Sequence, residues 1–207
     1  QAGVDCLSVS AGNYGAMEWT VQPVLFARGC LVSLAAAIKK EVRLPVMTAG
    51  RIIDPQQAED ILQKGEADLI AFGRGLLADP DLPRKAQEGR MGDIRKCITC
   101  MSCQNEVFGA SAPMICLINP ETGHEGETEG KAAQPKKVLI IGAGPAGLEA
   151  ARVAAVRGHQ VTVWEPAKAM GGRWSWLMHG YIAEQGRNLK GLGVTVVTGK
   201  NVTRRAV

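Results

Sequence analysis

The chain has 207 residues, 46% of them hydrophobic and 21% charged, with a formal net charge of +4 at pH 7. That balance belongs to an ordinary globular protein, long enough for one large domain or two small ones. The mild charge is scattered rather than striped, which leaves no ground for nucleic acid, and no apolar run is long enough to cross a membrane. There is no signal-peptide pattern, and four of the six cysteines share one motif, so a reducing cytoplasm is the expected location. Cys6 and Cys30 sit in apolar segments, where a buried free thiol is expected.

Gly3 to Ser10 reads as a buried strand, ended by a turn at Ala11-Gly12-Asn13. Pro23 to Val42 carries Val24, Leu31, Leu34, Ala35 and Ile38 at helical spacing. Its last cations, Lys39, Lys40 and Arg43, suit the negative end of a helix dipole. Leu44 to Ala49 is the next strand, closed by Gly50-Arg51. Asp54 caps a helix that Pro55 opens, which runs to Gln63 or Lys64 and stops at Gly65. Ala67 to Phe72 is a third strand, closed by Gly73-Arg74. Strands alternating with helices predict βα units on a parallel sheet, an α/β fold.

The two Gly-Arg pairs each follow a buried strand. At the carboxyl end of parallel strands, glycine lets backbone N–H groups approach a ligand and arginine forks onto phosphate. Either pair alone reads as a turn with a surface arginine. Two pairs one repeat apart suit the phosphate of FMN, through Gly50, Arg51, Gly73 and Arg74.

Past Asp79-Pro80-Asp81-Leu82 a short helix leads to Cys97-Ile98-Thr99-Cys100-Met101-Ser102-Cys103, and Cys116 follows after twelve residues. A [4Fe–4S] cluster needs four thiolates arriving from different directions. A tight loop can supply three, and a later segment the fourth. A structural zinc more often takes two separated Cys-x-x-Cys pairs, and the second half here has one cysteine. The cluster is the reading, and a zinc ribbon its alternative. Ile98, Met101, Ile115 and Leu117 are expected to wall the cluster from water, and Arg95 and Lys96 to favour its negative charge. Glu121 to Gln134 has little to bury and reads as a linker.

Lys137 to Ile141 is a strand. Gly142-Ala143-Gly144-Pro145-Ala146-Gly147 opens the helix Leu148 to Arg157, and Gln160 to Trp164 is the second strand, finishing at Glu165. Gly142 makes the turn, Gly144 admits a pyrophosphate to the helix N-terminus, and Gly147 packs helix on strand. Glu165, about twenty residues on, suits a ribose hydroxyl pair and disfavours a 2′-phosphate. The stretch reads as an adenine-dinucleotide site. Gly171-Gly172-Arg173 follows, and Val194 to Val197 is a third strand. His124 and His159 are given no catalytic role. His179 lies near Trp174 and Trp176, which either contact a flavin or pack. There is no Ser–His–Asp arrangement.

Three motifs therefore occur in one order: Thr48-Ala49-Gly50-Arg51 and Ala71-Phe72-Gly73-Arg74 (with Leu77-Ala78-Asp79-Pro80), the four cysteines, and Gly142 to Glu165. In that order the chain resembles the iron–sulfur flavoenzymes related to old yellow enzyme, among them 2,4-dienoyl-CoA reductase and trimethylamine dehydrogenase. The resemblance implies the C-terminal part of a β/α barrel over residues 1–94 and a cluster segment over 95–120. A linker over 121–136 and the N-terminal part of a dinucleotide-binding domain over 137–207 complete it. It implies FMN in the barrel, with Arg74 and the Gly50 and Gly73 backbones on its phosphate. Beside it would lie a [4Fe–4S] cluster on Cys97, Cys100, Cys103 and Cys116. FAD, or ADP alone, would lie on Gly142, Gly144, Pro145, Ala146, Gly147, Glu165, Gly172 and Arg173.

In reductase-type members NAD(P)H reduces FAD, the cluster relays single electrons, and FMN delivers hydride to an activated C=C bond of a small-molecule substrate. In the amine dehydrogenases an amine reduces FMN, and an electron-transfer protein takes the electrons. Two residues between the second and third thiol resemble trimethylamine dehydrogenase; dienoyl-CoA reductase has three. Against the amine reading, Val107 stands where that enzyme has an aromatic residue and Gln22 where it has an aspartate, which weakens a cation–π cage. Arg173 stands where many FAD-binding relatives have glutamine. A closed barrel takes about 250 residues and eight strands. The resemblance thus places the catalytic acid and base before Gln1 and the NAD(P)H-binding insertion after Val207, and implies that the stretch alone is inactive. No residue pattern sets an oligomeric state.

Overall fold

Short apolar runs punctuated by glycine give short parallel strands in this chain, and the helices between them cover those strands. The computed structural model describes residues 3–127 and 130–203. Thr128 and Glu129 of the expected linker, and Gln1, Ala2 and Arg204 to Val207 of the expected domains, lie outside the described residues. The chain divides into two units, Gln1–Gly123 and His124–Val207.

In the first unit, strands Leu7–Val9 (β1), Val46–Thr48 (β2) and Leu69–Ile70 (β3) form a parallel sheet in chain order. Leu7 stands opposite Val46, and Met47 opposite Leu69. A short helix, Met17–Thr20 (α1), follows β1. Helix Val32–Glu41 (α2) then lays Ala35 against Val9 and Val46. Helix Pro55–Gln63 (α3) closes the second core with Ala58 and Ile61 on Ile52, Val32 and Ala67.

The helix expected from Pro23 starts only at Val32. Gly29 has a φ of +69°, which a continuing right-handed helix cannot accommodate. The carbonyls of Val24 and Phe26 instead accept from the Arg51 guanidinium. Of the residues expected on the apolar face, Leu31 and Ala35 are buried, while Val24, Leu34 and Ile38 are exposed.

Asp54 caps α3 as expected, accepting from the Gln56 N–H at 3.1 Å, and it also meets the Lys96 ammonium at 2.5 Å. Burial pushes this carboxyl up, but Lys96 and the Gln56 N–H outweigh it and hold it below the usual carboxylate range. A depressed carboxylate stabilises the fold above its unfolded value of about 3.9, and that contribution is lost as pH falls through the folded value. Asp54→Ala is expected to cost about 1 kcal/mol, most of it the cap, because Lys96 is half exposed and its pair is screened. Urea unfolding at pH 7 and pH 3 checks this: the gap between native chain and variant narrows at the lower pH.

Two more helices, Arg74–Ala78 (α4) and Leu82–Gln87 (α5), lead towards the cysteines. Asp79 joins them. Its buried carboxylate accepts from Lys85 at 2.7 Å, from the Asp81 N–H at 3.1 Å and from the Arg95 N–H at 2.9 Å. The helix Ser102–Gln104 (α6) then carries the third cysteine.

In the second unit, strands Lys137–Ile141 (β4), Gln160–Glu165 (β5) and Thr195–Thr198 (β6) form a second parallel sheet in chain order. Helix Pro145–Val156 (α7) packs on β4 and β5, and Leu148 and Ala151 of the helix and Val161 and Val163 of β5 are buried. Helix His179–Gly191 (α8) packs on α7. On α8, Tyr181, Ile182, Gln185 and Leu189 are buried at helical spacing. The Glu149 carboxylate of α7 accepts from Gln185 at 3.1 Å and from the Tyr181 hydroxyl at 3.4 Å.

Candidate functional site

At the end of β2, Gly50 takes a φ of +94° and Arg51 one of +54°. A Cβ on Gly50 would lie 2.7 Å from Leu31 Cγ, so this close turn requires glycine. It aims Arg51 back across the strand end. Arg51 donates to the Val24 and Phe26 carbonyls, yet its Nε is buried without a hydrogen-bond partner. Desolvation lowers its affinity for its own proton, and Arg74 and Arg28 act in the same direction. At the end of β3, Arg74 donates to the Gln22 carbonyl at 2.9 Å and to Met101 Sδ at 3.1 Å.

One pocket is lined by both pairs, Gly50-Arg51 and Gly73-Arg74, with Gln22 and Gln104. The fold therefore brings together four residues twenty-odd positions apart in sequence. It adds Gln22 and Gln104, which sequence reasoning passed over as pocket residues. Gln104 directly follows Cys103, and that adjacency was the available signal.

Cys97, Cys100, Cys103 and Cys116 line a second cavity. Thr99 and Met101 adopt left-handed backbone, with φ of +56° and +65°, in the loop that brings Cys97, Cys100 and Cys103 to this cavity, Cys103 buried, Cys97 partly buried and Cys100 exposed. The Thr99 N–H donates to Cys97 Sγ at 3.4 Å. Burial raises the Cys97 and Cys116 thiols above their ordinary values. The Thr99 N–H and the Arg74 charge work against it at Cys97, as the N–H groups of Ile118 and Asn119 do at Cys116.

Ile98 and Met101 line the cavity as expected, but Ile115 and Leu117 do not; Ile118 and Leu77 take their place. Ile115 and Leu117 flank Cys116 and are exposed, Leu117 in the tight turn between Cys116 and Asn119. Arg95 and Lys96 are engaged elsewhere, Arg95 with Asn119 Oδ1 at 3.1 Å and Lys96 with Asp54. Among the described residues, no group of three or more His, Cys, Asp or Glu side chains closes into a site for a metal ion. The donor set is sulfur alone, spread around a wall that is otherwise largely apolar. Four thiol donors fit a thiolate-bound iron–sulfur centre and equally a four-cysteine zinc ion.

The Cys116 segment is anchored by Asn119, nearly fully buried, whose amide donates to the Leu77 carbonyl at 2.8 Å while its oxygen accepts from Arg95 and the Glu121 N–H. The Thr122 hydroxyl donates to the same Leu77 carbonyl at 3.2 Å. Asn119→Ala leaves these groups unpaired and is expected to destabilise the first unit by about 2–3 kcal/mol, read as a drop in urea midpoint with unchanged slope.

In the second unit, Gly142 turns at a φ of +100° and Gly144 faces open space. Pro145 and Ala146 begin α7. A Cβ on Gly147 would fall 2.0 Å from the Gly142 carbonyl oxygen. The Gly171 N–H donates to the Ala143 carbonyl at 2.8 Å, which sets Gly172 beside Gly144. Arg173 follows in the turn Gly172–Trp174 and is exposed. Glu165 is buried, and its carboxylate accepts from the Ala143 N–H at 2.7 Å and the Ala167 N–H at 2.8 Å. It thus fastens the glycine loop to the end of β5. Trp174 and Trp176 stand exposed, and His159 Nδ1 accepts from the Lys136 N–H at 3.0 Å.

Residues 16–93 match the model of the NADH:flavin oxidoreductase / NADH oxidase family, and residues 140–198 match that of the NAD(P)-binding Rossmann-like domain. The chain is 46% identical over 176 residues to an NADH oxidase of Thermoanaerobacter brockii, covering 84% of this chain and 27% of that one. It is 41% identical over 173 residues to a cinnamate reductase of Clostridium sporogenes, covering 83% and 26%. The solved structure of histamine dehydrogenase from Rhizobium sp. 4-9 superposes with a TM-score of 0.87 at 28% identity, covering 98% of this chain and 31% of the other. The chain thus spans about a quarter of the length of these curated relatives. Its fold is the C-terminal part of a β/α barrel, a cysteine segment and the start of a Rossmann-like domain.

Proposed function

This chain belongs to the NADH:flavin oxidoreductase / NADH oxidase family, and on that premise we propose that it is the electron-transfer middle of an iron–sulfur flavoprotein oxidoreductase. The protein reduces an activated C=C bond of a small unsaturated substrate at the expense of NAD(P)H. FMN phosphate lies between the two Gly-Arg pairs, a [4Fe–4S] cluster on the four cysteines, and FAD, or ADP alone, on the Gly142 to Gly147 loop. The observation that carries this reading is the pocket lined by both Gly-Arg pairs, Gly50-Arg51 and Gly73-Arg74. Two guanidinium groups at the carboxyl ends of neighbouring parallel strands suit the oxygens of a phosphate.

The overall balance is NAD(P)H plus one proton plus the alkene giving NAD(P)⁺ and the saturated product. When bound, the flavins accept and return hydride and the cluster passes electrons singly. The chain's own residues bind and shield. Arg51 and Arg74 orient the phosphate, Leu77, Ile98 and Ile118 keep water from the cysteine cavity, and Glu165 holds the nucleotide loop in shape. The cinnamate reductase likeness supports the alkene substrate.

The likeness to histamine dehydrogenase supports an amine substrate with an electron-transfer protein as acceptor. Gln22 weighs against it: its side-chain amide donates to the Trp19 carbonyl and offers no carboxylate to an ammonium group. Stopped-flow absorbance of the full-length protein decides between them. Flavin reduction by NADH or NADPH is expected, and bleaching by an amine alone overturns the alkene reading. Anaerobic purification with iron and sulfide analysis tests the cluster: about four of each per chain are expected. One equivalent of zinc, no labile sulfide and a colourless protein would instead make the segment a zinc-ribbon module beside a nucleotide-sensing Rossmann domain.

A further inference from the structure

Arg74 stands in the wall between two cavities. With Arg51 it lines the pocket at the ends of β2 and β3, and with Leu77 it lines the cavity of the four cysteines. One guanidinium nitrogen bonds the Gln22 carbonyl on the pocket side, and the other reaches Met101 Sδ in the cysteine loop. A thioether is a weak acceptor, so a strong donor is held against a poor partner between two places that suit anions. Met101 lies between Cys100 and Cys103 in left-handed backbone, so this contact bears on the shape of the loop itself. From the other side Gln104, next to Cys103, lines the phosphate pocket. Arg51 lines the pocket at the ends of β2 and β3 but not the cysteine cavity.

We infer that Arg74 is a positioning residue shared by both sites: its fixed charge sets the reduction potential of the centre held by the four cysteines, while its fork helps hold the flavin phosphate. The inference rests on the flavin and cluster reading given above. Adding an electron to a thiolate-bound iron–sulfur centre increases its negative charge, and a cation in its wall favours that reduced form. Met101 fixes where the cation stands. Lysine at this position would keep the charge and lose the planar fork.

The test uses the full-length protein reconstituted anaerobically with iron and sulfide, as native protein and as Arg74→Gln, Arg74→Lys and Arg51→Gln. Iron and sulfide per chain are measured first, then the midpoint potential by titration with dithionite, then FMN affinity by quenching of flavin fluorescence. Arg74→Gln is expected to shift the potential to more negative values and to weaken FMN at least tenfold. Arg74→Lys is expected to keep the potential near native while weakening FMN. Arg51→Gln is expected to weaken FMN comparably but to shift the potential less. Equal potentials in native chain and Arg74→Gln overturn the inference, as do equal shifts in Arg74→Gln and Arg74→Lys. If Arg74→Gln takes up no iron, Arg74→Lys carries the comparison: a native potential supports the inference, and a shift as large as that of Arg51→Gln or larger overturns it. A native chain that takes up no iron and sulfide ends the cluster reading itself, a distinguishable result.

Discussion

On the iron–sulfur reading, a Cys103→Ser chain reconstituted anaerobically is expected to take up far less iron and sulfide than the native chain, whereas Cys6→Ser takes up as much as native. Cys103 is 8% exposed and sits in the short helix that follows the Met101 reversal, so no other thiol can swing into its place. A serine hydroxyl is a harder and less readily ionised donor than a thiol, and iron–sulfur centres select soft thiolates. Three remaining cysteines leave one iron without its protein ligand. Cys6 is outside the cavity, so its replacement controls for the general effect of losing a thiol. Circular dichroism separates loss of the centre from loss of fold: a Cys103→Ser chain with native ellipticity and no visible absorption is the expected pair. Undiminished iron in that variant would remove Cys103 from the ligand set.

Gly147→Ala is expected to lower the stability of the second unit by about 2 kcal/mol or more and to weaken adenine-dinucleotide binding by an order of magnitude or more. The new Cβ would stand 2.0 Å from the Gly142 carbonyl oxygen, and this is backbone against backbone, which no rotamer change relieves. The turn must open, and with it the Glu165 bond to the Ala143 N–H that fastens the loop. Gly144→Ala is the counterpart. Its Cβ meets nothing within 4 Å, so native stability is expected, yet the methyl would occupy the face that a pyrophosphate approaches. Thermal unfolding and titration with ADP and FAD separate the two. Loss of stability in Gly144→Ala, or none in Gly147→Ala, reverses the assigned roles.

The contrast between the two units explains what could be read in advance. From Lys137 to Glu165 every informative contact is local: strand, glycine turn, helix, strand and acid follow one another, so spacing alone carried the architecture. In the first unit the convergence of Gly50-Arg51 with Gly73-Arg74 was legible because parallel strands end on the same side. Gln22 and Gln104 were not, since they reach that pocket from a segment before the second strand and from one beyond the second Gly-Arg pair. Helix α2 was drawn too long because apolar spacing outweighed the left-handed Gly29. Helix α8 was missed because Gly180 and Gly186 interrupt a pattern that its buried Tyr181, Ile182 and Leu189 otherwise keep. Asn119 gave no warning. Its importance comes from partners at Leu77 and Arg95, remote in sequence and invisible to any local pattern.

The Leu77 carbonyl, receiving both the Asn119 amide and the Thr122 hydroxyl, has a bearing on the protein's life in air. These ties are made of amide, hydroxyl and peptide groups, none of which oxygen attacks. If the four cysteines hold a cluster as proposed above, the Cys116 segment is expected to keep its shape when that cluster is lost to oxygen, and native circular dichroism in the air-exposed protein is the result that checks it.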